Sequence, residues 1–278
     1  MNYALGAVEP LDAVREYWQA HPLLAHEVGG VDAVERWRIL DFVKRTDVEA
    51  FAMRYWGFDT AAGKSLLDIG CGPGWITVMY ARYGASVTAI DLTDHAVELT
   101  RTALVANGVE ARLQTANAER LPFPDEAFDI VVSSGVLHHT PDVFRAIQEA
   151  HRVTRRGGTG LITLYRLGIL HHRLVFPIVR AVMRLTKTRH PGADLAATAS
   201  SVEDFVRQYD GASNPVGIAK REHEWRQLLN DAGWTVVATE RHYFPSRMVP
   251  FLSRAPRWLK KVLDRRLATM VYFTLLRR

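Results

Sequence analysis

The run LLDIGCGPG, Leu66 to Gly74, carries an apolar stretch into three glycines set one residue apart, Gly70, Gly72 and Gly74. Such a run reads as a buried strand whose following turn lets the backbone approach a ligand at the strand's carboxyl end. A triphosphate loop needs Gly-Lys-Ser/Thr after its glycines, and here Trp75-Ile76 follows. A dinucleotide turn sets its third glycine one residue later and holds a pyrophosphate on backbone N–H groups. Pro73 removes one such donor, and the Asp68 carboxylate repels phosphate. The turn suits a flat nucleoside with a cationic end. Asp91 ends ASVTAID about twenty residues on, where a carboxylate can accept both ribose hydroxyls of an adenosine group. In TANAERLPFPDEAFD, Asn117 offers an acceptor for an adenine amino group and the Ala118 N–H a donor for a ring nitrogen. Leu121 to Phe123 could wall the ring.

These residues must be positioned by alternating elements. SLLDIG, ASVTAID, ARLQTA, FDIVVSS and GTGLITLY read as five strands, with WITVMYARYG and DHAVELTRTALVANG as helices between them, the second closed by Asn107-Gly108. Thr140-Pro141-Asp142 opens a further helix, with proline suited to its first position. Strands alternating with helices of this length predict a parallel sheet. Residues 1–60 read helical, with apolar positions three and four apart. After Tyr165 the alternation breaks for about 55 residues, predicting a helical cap over 166–220. It resumes with EHEWRQLLNDAG as a helix and WTVVATERHYF as a strand, then RWLKKVLDRRL as a helix and ATMVYFTLLRR as a last strand. The last two strands should pair as neighbours, one antiparallel to the rest.

A chain of 278 residues can bury a full core, and 48% hydrophobic with 23% charged residues is an ordinary globular composition. The single Cys excludes an intrachain disulfide and a Cys-based zinc cluster. No basic-then-apolar leader opens the sequence and no apolar run suits a membrane span, so a cytoplasmic protein is expected. The net charge of +5 is uneven: −4 over 1–60, −2 over 61–165, +2 over 166–240 and +9 over 241–278. The basic surface belongs to the C-terminus.

LLDIGCGPG, VTAID, AERLPFPDEAFDIVVSSGVLHHTPD and EAHRVTRRGG, in that order over about 64–164, resemble the class I S-adenosylmethionine-dependent methyltransferases. The likeness is to the small-molecule branch that includes ubiquinone and menaquinone biosynthesis enzymes. It implies an α/β fold: a Rossmann-like seven-stranded sheet with the last strand antiparallel, an N-terminal helical segment (1–60) closing over the cofactor, a binding core (61–165), a cap (166–220) and a C-terminal unit completing the sheet (221–278). It further implies that Asp68, Gly70, Cys71, Gly72 and Gly74 line the methionine end of S-adenosylmethionine and that Asp91 holds the ribose. Leu92 would pack on the adenine, Asn117 and Ala118 meet its edge, and Ser134 lie near the sulfonium. The family commonly has Asp where Asn117 stands, so the charge is lost and an amide acceptor kept. RVTRRGG departs from the usual Leu-Lys-Pro-Gly-Gly form at Thr154, Arg155 and Arg156, which alters the turn.

His138 and His139 follow strand four, where methyl and acceptor should meet, and each is a candidate base or pocket wall. Tyr165, His171, His172 and Tyr209 are candidates for the acceptor pocket, against the plainer reading of packing. Tyr17 and Trp18 belong to a helix that in relatives closes over the cofactor. The expected reaction is methyl transfer to an O, N or C nucleophile of a small molecule. SSGVLHHT replaces the Asn/Asp-Pro-Pro-aromatic motif of base-methylating relatives and argues against base N-methylation. An RNA methyltransferase docking through the basic tail, or a non-catalytic binder of the cofactor, are the alternatives. RMVPFLSRAPRWLKKVLDRRL suits three surroundings: water on one side of a covering helix, an anionic membrane, or RNA.

Overall fold

SLLDI is apolar at successive positions, so it can only be a strand covered on both faces, as the inner strands of a parallel sheet are. The structure, a computed structural model, describes residues 11–22, 31–45, 51–186, 199–211, 213–243 and 256–278. Strands β1 (Ser65–Ile69), β2 (Ser86–Asp91), β3 (Arg112–Thr115), β4 (Phe128–Ser134) and β5 (Thr154–Arg166) are parallel, and β7 (Thr235–His242) and β8 (Met270–Leu276) complete the sheet. Their order is β3-β2-β1-β4-β5-β8-β7, and β8 runs antiparallel to both of its neighbours. This is the expected α/β sheet with one strand reversed. An eighth strand, β6 (Ala219–Lys220), went unforeseen: two residues that pair in parallel with Tyr165 and Arg166. A two-residue bridge carries no periodicity to detect.

Helices α1 (Leu11–Ala20), α2 (Ala33–Val43) and α3 (Ala52–Trp56) precede the sheet; α4 (Trp75–Arg82), α5 (Asp94–Asn107) and α6 (Val143–Val153) cross between strands. Gly108, in the left-handed region at φ 62, ends α5 as expected, while Asp142 rather than Thr140 caps α6 by accepting from the Arg145 N–H. Pro141 therefore lies outside the helix. Strand β5 starts at Thr154, earlier than GTGLITLY suggests, because RRGG is drawn into the sheet.

Side chains alternate across the sheet into two apolar layers. Leu67, Val131, Ile162, Phe273 and Leu275 face α6 and α9 (Glu222–Asp231), where Trp225 is fully buried. Leu66, Val87, Val132, Leu161 and Tyr272 face the other way, onto Trp37, Trp56, Trp75 and Met79 of α2, α3 and α4. Each large side chain buried this way contributes about 1.5–3 kcal/mol.

Between β5 and β6 the chain leaves the sheet for α7 (Phe176–Thr186) and α8 (Val202–Arg207), with Phe176, Ala199 and Phe205 forming a separate small cluster. A second excursion, with α10 (Arg257–Leu267), lies between β7 and β8. The register Tyr165↔Met270 puts both excursions at the carboxyl end of the parallel strands.

Candidate functional site

The turn after β1 is built so that its backbone can fold back on the sheet. Gly70 has φ 81, and a Cβ there would lie 2.3 Å from Val136 Cγ2. The N–H groups of Gly70 and Cys71 both donate to the Ile90 carbonyl. Thr100 Oγ1 donates to the Gly72 carbonyl at 2.9 Å, tying the turn to α5. Gly74 becomes the N-cap of α4. Over Gly72 the space is open: a Cβ would meet nothing within 4 Å.

Beside that space stands Asp91. Its Oδ2 accepts from the Gly72 N–H at 3.1 Å, and its Oδ1 from the backbone and hydroxyl of Thr93 at 3.0 and 3.1 Å. Burial raises the carboxyl above its ordinary range despite these donors. An acceptor site remains on Oδ2. Asp68 is placed differently from the expectation that it lines the methionine end. It is 1% exposed beneath the turn, accepts from Thr77 Oγ1 at 2.6 Å, and is pushed up to about 7, chiefly by burial. It acts on a ligand above only through space. Cys71 is buried within the turn, and burial together with Asp91 and Asp68 raises its thiol well above the ordinary range, so it packs rather than reacts.

Leu92 is half-buried just past β2, and Ser134 is half-buried at the end of β4. Asn117 Oδ1 accepts from the Glu119 N–H at 2.9 Å, closing a turn of its own. Ala118 is buried with Leu121 in the core layer. The open Gly72 backbone, the Asp91 rim and Leu92 together fit an adenosyl group, and the ionisable carboxyl beneath fits its cationic end.

The turn after β4 and the return of the chain to β6 hold a second cluster. His139 is buried, its Nδ1 donating to the Val216 carbonyl at 2.6 Å and its Nε2 lying 3.1 Å from Asp210 Oδ2. A carbonyl and a carboxylate both accept, so each ring nitrogen of His139 faces an acceptor, with the Asn214 amide nitrogen 3.4 Å from Nδ1. Burial would raise Asp210, but the hydrogen bond and charge of His139 and the Tyr165 hydroxyl, which also donates to Oδ2, hold it below the ordinary range. His138 is the opposite case. It is fully buried, with neither ring nitrogen in a hydrogen bond, and lies 3.9 Å from the Tyr165 ring. Burial and then His139 push it well below the ordinary histidine range, against a weaker pull from the Thr163 backbone. It is a neutral imidazole with free capacity.

Helix α1 spans the two halves. Tyr17 donates to the Asp210 carbonyl at 2.6 Å, Trp18 sets its edge against His139 at 5.1 Å, and His95 of α5 donates through Nδ1 to the Gln19 carbonyl at 3.2 Å. Burial and the Asp210 charge push the Tyr17 hydroxyl up to about 12, so it remains a donor.

Of the four residues expected around an acceptor, Tyr165 alone joins the histidines in a described contact. His171 turns into the cap beside Phe205, with Nδ1 accepting from the Gly168 N–H, and burial followed by Arg166 pushes it down to about 4. His172 is exposed. Tyr209 lies on the turn Gln208–Asp210, and its side chain is outside the described residues. Asp210, Asn214 and Val216 were missed. They sit in a stretch with no motif and reach the site only through the chain's return to β6. Thr93 was also missed: it caps α5 and, by donating to Asp91, holds that carboxylate in place.

Residues 67–162 match the model of a methyltransferase domain. Curated relatives include an uncharacterized methyltransferase, YcgJ, of Bacillus subtilis, 37% identical over 98 residues, which are 35% of this chain and 39% of that protein. The ubiquinone biosynthesis O-methyltransferase of Pseudomonas paraeruginosa is 35% identical over 99 residues, 35% of this chain and 42% of that one. The chain thus matches about two-fifths of the length of these relatives. Among solved structures, the magnesium protoporphyrin IX methyltransferase of Synechocystis PCC 6803, with bound SAH, superposes with a TM-score of 0.59 at 15% identity, covering 97% of this chain and all of that one. The segment 67–162 belongs to the methyltransferase-domain family, and the chain has the Rossmann-like fold of the S-adenosylmethionine-dependent methyltransferases.

Proposed function

We propose that the protein transfers a methyl group from S-adenosylmethionine to an O, N or C nucleophile of a small molecule. The observation that carries this is the open Gly72 backbone with the Asp91 carboxylate at its rim, at the carboxyl end of the parallel strands. The bound cofactor supplies an activated methyl on a sulfonium whose leaving group is a neutral thioether. What remains for the chain is alignment and exclusion of water. Asp91 fixes the ribose end, Asp68 in its ionised form favours the positive charge, and α1 closes the top through Tyr17, Trp18 and Gln19. His138, neutral and fully buried beside the Tyr165 ring, is the candidate to take a proton from an acceptor hydroxyl or amine. His139, tied to Asp210 and to the Val216 carbonyl, positions the cap. The relative named for ubiquinone biosynthesis and the neighbour named for magnesium protoporphyrin support a small-molecule acceptor over RNA.

Calorimetry with S-adenosylmethionine and its demethylated product tests the reading first, followed by a methyl-label assay over a panel of phenols, carboxylates and amines. Micromolar binding of both compounds and label transfer to one acceptor class are expected. Absent heat with either compound, with a pyridine nucleotide binding well, overturns the reading. Binding with no transfer to any acceptor returns the chain to a non-catalytic role.

A further inference from the structure

Charge in this chain is divided between its ends. Segments 166–193 and 241–278 together hold sixteen Lys or Arg and one acidic residue, while the rest of the chain holds nineteen against twenty-nine. Both segments leave the sheet at the same end, since Tyr165 pairs with Met270, and Arg166 Nη1 donates to the Ala268 carbonyl at 2.8 Å. The same two segments expose large apolar side chains. Ile169 is 57%, Leu174 69% and Ile178 63% exposed in the first, and Trp258 is 66% and Val262 44% exposed on α10.

The exposure on α10 follows helix geometry. Trp258, Val262, Arg265 and Arg266 are spaced four, seven and eight residues from the first and share one face, all exposed. Leu259, Leu263 and Leu267 are half-buried on the other side of a helix that packs on β7. The outward face is thus apolar in its middle and cationic at its end. In the first segment, exposed Arg173 adjoins exposed Leu174.

We propose that this end of the molecule docks on an anionic lipid bilayer. Ile169, Leu174, Ile178, Trp258 and Val262 enter the headgroup–acyl boundary, and Arg173, Arg265 and Arg266 meet the phosphates. Apolar burial and cationic attraction are the two contributions by which amphipathic helices hold to membrane surfaces. An RNA surface would present rings for bases to stack on; here four of the six exposed apolar side chains, Tyr243 included, are aliphatic, which suits hydrocarbon. The inference needs no methyl transfer and stands apart from the reading above.

Flotation of the full chain with phosphatidylcholine vesicles, with and without about one-third phosphatidylglycerol, tests it, with a single-stranded RNA oligomer as a parallel ligand. Binding to the anionic vesicles is expected to exceed that to neutral ones at least tenfold and to weaken as salt rises. The pair Arg265→Glu and Arg266→Glu should lower it by tenfold or more. Trp258→Ala should lower it several-fold while leaving its salt dependence unchanged. Circular dichroism and heat of S-adenosylhomocysteine binding keep a folding failure, or a failure of the cofactor reading, distinguishable from a lost surface. Equal binding to both vesicle types, no binding to either, or salt-sensitive binding to RNA alone would each overturn the proposal.

Discussion

At the scale of single residues, the glycine turn separates what the fold needs from what a ligand needs. A Cβ on Gly70 collides with Val136 and sits at φ 81. Overpacking costs about 1–3 kcal/mol and a left-handed side chain about 1–2 kcal/mol more. Gly70→Ala should therefore lose several degrees of melting temperature. Gly72→Ala meets open space and carries only the conformational penalty, so its melting temperature should fall little while S-adenosylhomocysteine binding weakens tenfold or more. Thermal melts beside calorimetry decide this, and equal losses of stability in the two variants would contradict it. Asp68 gives a second residue-scale outcome. Its carboxyl is pushed up to about 7 by burial, so in the folded protein it is neutral below that pH and ionised above it. A raised folded value means the native state holds the proton more tightly than the unfolded chain. Asp68 therefore favours folding most below the ordinary carboxylate range near 4, and that contribution is lost as pH rises to about 7. Cofactor binding runs the other way, because a cation favours the ionised form. The dissociation constant for S-adenosylmethionine should tighten by about tenfold between pH 6 and pH 7.5. In Asp68→Asn the constant should be weaker and nearly flat with pH; a flat wild-type profile would remove Asp68 from the site.

At the scale of elements, the part of the site that the sequence revealed is the part built from consecutive residues. LLDIGCGPG and VTAID each carry their function within one strand and its turn, so their spacing alone located Gly72 and Asp91 at one sheet end. Strand periodicity likewise gave β4, β5 and the reversed β8. The N-terminal segment was expected to close over the cofactor and the cap to bind the acceptor, but the contacts between them were not foreseen, because they join residues far apart: Tyr17 to the Asp210 carbonyl, His139 to Asp210 and Val216. No local pattern marks Asp210, and the two adjacent histidines look alike in sequence although one is tied to Asp210 and Val216 and the other packs on the Tyr165 ring. Those contacts tie α1 to the cap at Asp210. Tyr17→Phe removes one hydrogen bond, worth about 1 kcal/mol, and should raise the S-adenosylhomocysteine release rate about fivefold in stopped flow. An unchanged release rate would mean that α1 does not gate the site. Asp210→Asn removes the carboxylate that His139 and the Tyr165 hydroxyl both face and should be destabilising by a few kcal/mol. The double variant with His139→Gln should be less destabilised than the two single losses added, by about 0.5–3 kcal/mol. Strict additivity in denaturant melts would show that the pair is not coupled.

At the scale of the whole molecule, the two apolar layers and the two excursions depend on one strand. Strand β8 lies between β5 and β7, and β7 has no other partner in the sheet path. Because successive side chains of a strand point to opposite faces, Tyr272 enters the layer with Trp56 and Trp75 while Phe273 enters the layer with Trp225. The Tyr55 hydroxyl donates to the Phe273 carbonyl at 2.9 Å, fastening α3 to the same point. The parallel half of the sheet that carries the glycine turn therefore shares its core with the C-terminal strands, and the molecule should unfold as one unit. Phe273→Ala, at a side chain with no exposure, should cost about 3–5 kcal/mol. That loss should lower stability in the glycine-turn region as much as in β7, since both melt in the same transition. Hydrogen exchange on the amides of Gly70 and Cys71, which bond to the Ile90 carbonyl, reports the first region, and the β7 amides paired with β8 report the second. Equal acceleration at both sites is the expected result. Faster exchange confined to β7 and β8 would mean that the cofactor half folds by itself and that its geometry does not depend on the strand that joins lid, cap and basic end.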